Sequence, residues 1–225
     1  MKPLIYILTF LLSTFALAQN NELFDEANAM YNDANYNEAL EKYKTILESG
    51  EHSAELYFNM ANAHYKLNHI APSIYFYEKA LLLKPNDKDI KNNIAFARNM
   101  TVDAIDSVPE VGISKLIKNV TNIMSFDSWA KVSVSLVILF VILFVSYYFT
   151  YSTAKKRLTF VSGTLSLMLA VVALGFAFHK FNLVSDNQPA IVFAQETKIK
   201  SEPNLRSSEA FVLHEGTKVQ VLDTV

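Results

Sequence analysis

Residues 54–87, "AELYFNMANAHYKLNHIAPSIYFYEKALLLKPND", set the fold of this chain. The stretch is rich in Tyr, Phe, Leu and Ala and holds little that a reaction could use. Pro72 stands near its middle and Pro85 near its end. A proline in the first turn of a helix costs little, because that N–H has no helical partner. A proline just past a helix stops it. The stretch therefore predicts two short amphipathic helices packed antiparallel, with small residues at the crossing so that the backbones approach closely.

The 34 residues before it repeat the pattern. Set above 54–87, residues 20–53 place Ala27 over Ala61, Ala39 over Ser73 and Ile46 over Ala80. The large residues follow, with Leu23 over Tyr57, Met30 over His64, Tyr36 over Ile70 and Tyr43 over Tyr77. Asn28 falls over Asn62 and Tyr31 over Tyr65. One such hairpin cannot cover its own apolar face, so the units stack.

Both units resemble the tetratricopeptide repeat (TPR). A third first-helix, "KDIKNNIAFARNM" at residues 88–100, puts Ile94 and Ala95 on the positions of Met60 and Ala61 but has no second helix after it. Residues 88–106 are expected to cap the stack, giving a TPR domain over 20–106 with repeats at 20–53 and 54–87. A helical bundle of another kind is the alternative. In the TPR family the first helix of each unit lines a concave groove. Carried over, the resemblance puts Phe24, Asn28 and Tyr31 there from unit one and Glu55, Phe58, Asn59, Asn62 and Tyr65 from unit two. The capping helix adds Asp89, Asn92, Asn93 and Phe96. An Asn side chain can hold a peptide backbone through both its donor and its acceptor, and aromatic rings give contact area at small entropic cost. The alternative for the Asn residues is solvent exposure or bonding between helices. Some TPR domains grip a C-terminal carboxylate with basic residues; Phe24 and Asp89 stand at those positions here, so no such clamp is expected.

Upstream, "MKPLIYILTFLLSTFALAQ" has a charged start at Lys2, an apolar run from Leu4 to Phe15, and the small residues Ala16 and Ala18 flanking Leu17 before Gln19. This predicts a signal peptide over 1–18; an uncleaved N-terminal anchor is the alternative. Either sends the repeats across a membrane.

Downstream, residues 110–131 form an amphipathic juxtamembrane segment. Val111, Leu116, Ile117, Val120 and Ile123 lie on one side, Lys115 and Lys118 opposite, and Trp129 at headgroup level. An ordinary packing helix is equally compatible. Residues 132–151 then carry no charge and match the ~20 residues needed to cross the hydrocarbon core. A loop at 152–157 holds Lys155, Lys156 and Arg157, and a second apolar run covers 158–181. The basic loop suits the cytoplasmic side, which leaves the repeats and the C-terminal tail on the periplasmic side of a bacterial inner membrane. Ser162, Ser166 and Ala170 recur at four-residue spacing, which permits close packing of the two spans.

The tail, 189–225, has short β-prone runs, with Val219 and Val221 on one face and a turn at His214-Glu215-Gly216. "SEPNLRSSEAFVLHEGTKVQVL" resembles the first half of a bacterial SH3-like domain. The closing strands are missing, so a truncated record of a longer chain is expected; a tail poorly ordered alone is the alternative.

The formal charge of -2 is too near zero for nucleic acid as a partner. The chain has no Cys, which excludes disulfides, thiolate catalysis and a Cys-held zinc. The five His residues are scattered, and no nucleophile elbow, phosphate loop or HExxH is present. No cofactor, no metal site and no enzymatic activity are expected. The whole order resembles the TPR proteins of the Bat aerotolerance operon, the BatE type, with "KPNDKDIKNNIAFAR" and the later "DSWA" before two spans as its most particular feature. That resemblance implies a mainly α envelope scaffold. Its partners would be other proteins of the operon, with von Willebrand A-type domains, in tolerance of oxidative stress. The alternative is a tethering protein whose SH3-like tail contacts peptidoglycan.

Overall fold

The computed structural model describes residues 20–103, 112–186, 188–204 and 206–223. The expected signal peptide and residues 104–106 of the expected cap lie outside them. Five helices form the N-terminal body: α1 (20–32), α2 (Tyr36–Glu48), α3 (Ala54–Lys66), α4 (Ile70–Leu83) and α5 (Lys88–Arg98). The chain is mainly helical, with small antiparallel strands confined to its C-terminal part.

The same local devices recur one repeat apart. Ser53 caps α3 by accepting from the Leu56 N–H at 3.1 Å. Asp87, the equivalent residue of the next unit, caps α5 by accepting from the Asp89 and Ile90 N–H groups. Each first helix closes on a left-handed residue, Ala34 at φ 63° and Asn68 at φ 61°. The next N–H then bonds five residues back, Asn35 to Met30 and His69 to His64, both at 2.9 Å, which satisfies otherwise orphaned carbonyls. Helix α4 stops at Leu83 because Lys84, which precedes Pro85, is pushed out of the helical region to φ -127° and ψ 75°.

Packing follows the small residues. Ala27, Ala39, Ala61, Ala63, Ala71, Ser73 and Ala80 are fully buried where helices cross. Tyr43, Tyr77, Leu56 and Ile74 fill the space between them. His64, which falls on the position of Met30 one repeat earlier, is half-buried; its ring lies flat on Phe76 with centroids 5.5 Å apart. The capping helix is shorter than 88–106. After Arg98 the chain tightens through bonds from Met100 to Ala97 and from Thr101 to Arg98.

Helix α6 (Ile113–Thr121) leads into two long apolar helices, α7 (Phe126–Phe149) and α8 (Thr153–Asp186), each long and apolar enough to cross a membrane. Only residues 150–152 join them, so Lys155, Lys156 and Arg157, expected in a loop at 152–157, lie in the first turns of α8. The two helices pack along Gly163, Ser166, Ala170, Ala173 and Ala177. Two hydroxyls cross the seam: Ser166 donates to the Leu136 carbonyl at 2.8 Å and Ser133 to that of Ala170 at 2.9 Å. Their outer faces, with Ile138, Ile142 and Phe144 on α7 and Met168 and Val171 on α8, are exposed. At the far end of α8 the Lys180 ammonium donates to the carbonyls of Thr121 and Met124 and to Asn122 Oδ1. A cation at a helix C-terminus offsets its partial negative charge, so Lys180 pins α6 to α8.

The tail consists of β1 (Gln188–Ile191), β2 (Glu196–Lys200), β3 (Glu209–His214) and β4 (Lys218–Val221). Strand β1 pairs with β4 and β2 with β3, both antiparallel. Bonds from Val192 to Thr217 and from Gly216 to Val192, both 2.9 Å, run between the two pairs. The tail is therefore one bent two-stranded ribbon; of the expected turn His214-Glu215-Gly216, the last two residues make the bend and His214 ends β3. Val219 and Val221 share a half-buried face.

This bend is docked on the helical body. Asp103 accepts from the His214 N–H at 2.7 Å and the Thr217 hydroxyl at 2.6 Å, and its other oxygen meets His214 Nδ1 at 2.7 Å. The Thr217 hydroxyl, then the two His214 groups, hold the Asp103 carboxyl down at about 2. Glu215 accepts from the Ala71 N–H at 3.2 Å. Helix α4 has no side-chain cap and no acidic residue in its first turn, so the tail supplies the negative group that this end favours. Gly216, at φ 85°, passes so close that a Cβ would lie 2.7 Å from Thr101 Cγ2 and 3.0 Å from Ile70 Cγ2.

Candidate interaction groove

Helices α1, α3 and α5, the first helix of each unit and the cap, present the expected groove residues. The Asn side chains among them form two equivalent rungs. In the first, Asn28 Oδ1 accepts from the Tyr43 hydroxyl at 2.6 Å and from Asn59 Nδ2 at 2.8 Å. In the second, 34 residues on at every position, Asn62 Oδ1 accepts from the Tyr77 hydroxyl at 2.5 Å and from Asn93 Nδ2 at 2.9 Å. Each rung ties a unit's own two helices to the first helix of the next.

Burial pushes the Tyr43 hydroxyl up to about 12 and raises that of Tyr77 as well. Both stay protonated and act as donors at ordinary pH. With two donors converging on its oxygen, each accepting Asn has its amide orientation fixed. No buried side-chain nitrogen or oxygen among the described residues lacks a partner. The remaining amide groups are therefore open to solvent: Asn28 Nδ2 and Asn59 Oδ1 in one rung, Asn62 Nδ2 and Asn93 Oδ1 in the other. Each rung offers one donor and one acceptor in a set orientation.

Beside the second rung lies a cleft of about 260 Å³ lined by Tyr31, Asn62, Tyr65, Lys66, Tyr77, Asn93 and Phe96. It brings together five of the expected residues from three helices. Phe96 is 60% exposed at its edge, a large apolar surface left uncovered by the described residues. The other expected residues stand elsewhere. Phe24 and Phe58 are half-buried and lean on Tyr43 and Tyr77, with ring centroids 5.8 and 6.0 Å apart. They support the rungs from below. Glu55 is exposed and ion-paired with Lys84 beyond the end of α4. Asp89 and Asn92 are exposed on α5.

Sequence reasoning missed Lys66 and the two Tyr hydroxyls. The signal for the hydroxyls was present, since Tyr43 and Tyr77 coincide at the repeat period, as do Asn59 and Asn93. What periodicity lacks is direction. A tyrosine on the buried stripe of a second helix reads as core filling, and nothing in the period shows that its hydroxyl meets an Asn on the facing first helix.

Among the described residues no group of three or more His, Asp or Glu is placed to hold a metal. His64 and His69 meet at 3.3 Å between their Nδ1 atoms. Burial, with the neighbouring His69 ring, holds His64 down at about 4.

A search of curated proteins gives no match to the chain. The tetratricopeptide repeat family model matches residues 54–87, from the first residue of α3 to the cap of α5. The hairpin of α3 and α4, which carries Asn62 and Tyr77 of the second rung and most of the cleft, is a tetratricopeptide repeat.

Proposed function

We propose that this chain is a membrane-anchored, non-enzymatic scaffold whose groove across α1, α3 and α5 holds an extended segment of a partner protein. The two rungs carry this reading. An extended chain presents its own N–H and C=O groups, which must find partners when water is removed. Each rung meets that need with one amide N–H and one amide C=O already oriented, so little ordering remains to be done on binding. Phe96 and Tyr65 supply apolar area beside them.

Helices α7 and α8 act as the anchor, since their exposed apolar faces need a hydrocarbon solvent. The basic residues Lys155, Lys156 and Arg157 at the turn favour the cytoplasm there. With the expected signal peptide, that supports a reading in which the repeats and the tail lie on the periplasmic side. The resemblance to BatE-type proteins supports envelope partners with von Willebrand A-type domains and a part in tolerance of oxidative stress. The peptidoglycan alternative gains nothing from the tail, whose bend is already engaged with α4 and Asp103.

The test is affinity capture of the full chain from native membranes in mild detergent, alongside a Phe96→Asp variant. Recovery of a partner with a von Willebrand A-type domain by the wild type, and its loss from the variant, is the expected result. Equal recovery by both would contradict the groove as the binding surface.

A further inference from the structure

The cleft beside the second rung holds an unequal supply of hydrogen-bonding groups. From the rung itself, Asn62 Nδ2 is left as a donor and Asn93 Oδ1 as an acceptor, since the other atom of each is engaged. The Tyr77 hydroxyl is spent on Asn62. Lys66 adds an ammonium, which has three donors and no acceptor. It stands in the last turn of α3, where a cation is favoured. Neither that ammonium nor the hydroxyls of Tyr31 and Tyr65, which line the same cleft, makes a hydrogen bond or ion pair with the described residues. No residue lining the cleft is acidic. One full positive charge and three further groups able to donate thus face a single amide oxygen.

Such a surplus is matched by a group that only accepts. An ionised carboxylate brings two acceptor oxygens and one negative charge, and its bonds to a charged donor are stronger than neutral ones. One lysine balances one such charge, whereas a phosphate dianion needs two cations. The size points to a side chain, since about 260 Å³ falls below the ~300 Å³ at which small-molecule pockets begin. The charge also has one place in the stack. Asn32 and Met100 stand where Lys66 does at the repeat period, so the cation marks the second rung and gives an extended segment a register.

We infer that the partner segment held in the groove carries an Asp or Glu side chain that enters this cleft and pairs with Lys66, with the Tyr31 and Tyr65 hydroxyls as further donors. Phe24 and Asp89 stand where a clamp for a chain end has basic residues, so the acid lies within the segment and not at its C-terminus. The inference rests on the reading of the groove as a peptide-binding surface and adds the chemistry of what it holds.

A bead library of random octapeptides, acetylated and amidated so that neither end is charged, tests it against the full chain in mild detergent. The wild type should enrich Asp and Glu over Asn and Gln about fivefold at one position, as one ion pair open to water on one side allows. Lys66→Met should lose that preference, and Lys66→Glu should turn it toward Lys and Arg. Lys44→Glu, on the outside of the stack, should leave it as it is. No acidic preference in the wild type, an acidic preference that survives Lys66→Glu, or one that appears only with a free C-terminal carboxylate would each overturn the inference and leave the groove. Enrichment no greater for the wild type than for Phe96→Asp would overturn the groove and the inference with it.

Discussion

Asn62 receives two hydrogen bonds on one oxygen, and the residues that make them differ in what their loss exposes. Removing the hydroxyl in Tyr77→Phe leaves Asn93 as donor to that oxygen and should cost about 1 kcal/mol. Asn62→Leu strands the buried Tyr77 hydroxyl and the Asn93 amide together, and should cost more, about 1–3 kcal/mol. Urea denaturation of the two variants gives the order. Ala34 presents the opposite case, since an exposed alanine holds φ 63° where the next unit has Asn68. Left-handed backbone costs a non-glycine residue ~1–2 kcal/mol, so Ala34→Gly should raise the urea midpoint. His64 gives the pH response. Above pH ~6.5 it is neutral whether folded or unfolded. As the pH falls from there to about 4, the unfolded chain takes a proton that the folded ring refuses. Stability present at neutral pH is therefore lost across that window. Comparing denaturation midpoints at pH 7.5 and 5, His64→Phe should show a smaller drop than the wild type. The positions of all these residues could be read from the 34-residue period. Their bonds could not, because a period shows which residues are equivalent and not which atoms meet.

Helices and ribbon were legible to different depths. The hairpins followed from Pro72, Pro85 and the small residues, all local signals. The packing of α7 on α8 was half legible. Ser166 and Ala170 are buried as the four-residue spacing required, but Gly163 takes the place expected of Ser162. A seam between two long helices advances about 3.5 residues at a time and not four, so Gly163, Ser166, Ala170, Ala173 and Ala177 form it. Docking of the ribbon was not legible at all. Its contacts pair Asp103 with His214 and Ala71 with Glu215, more than 100 residues apart in sequence, and a lone Asp after a helix carries no mark of its partner. Asp103→Asn removes one acceptor oxygen from a site that receives three donors. Hydrogen exchange at the His214 and Gly216 amides should speed up, while exchange within α3 stays unchanged. Gly216→Ala should act in the same direction through steric conflict with Thr101. Since the Asp103 carboxyl is held at about 2, wild-type docking should persist to well below pH 3.8 and be lost as the pH approaches 2.

At the scale of the molecule, two surfaces lie on opposite sides of one repeat, a polar groove on the α3 side and the face that carries the ribbon on the α4 side. The ribbon and α6 both meet the second side, which leaves the first uncovered by the described residues. On the proposed reading of α7 and α8 as an anchor, a body joined to it at several points would hold its groove at a defined place above the bilayer, as the proposed scaffold requires. A periplasm-active reporter fused after residue 87 should be active, and activity only of a cytosol-active reporter there would contradict the proposed orientation. The use of the groove is most directly tested by placing a photo-crosslinking residue at Phe96 and, in a separate variant, at Lys44 on the outside of the stack. A groove that holds its partner predicts one identified envelope protein captured from Phe96 in native membranes and little from Lys44. Equal capture from both positions would contradict it.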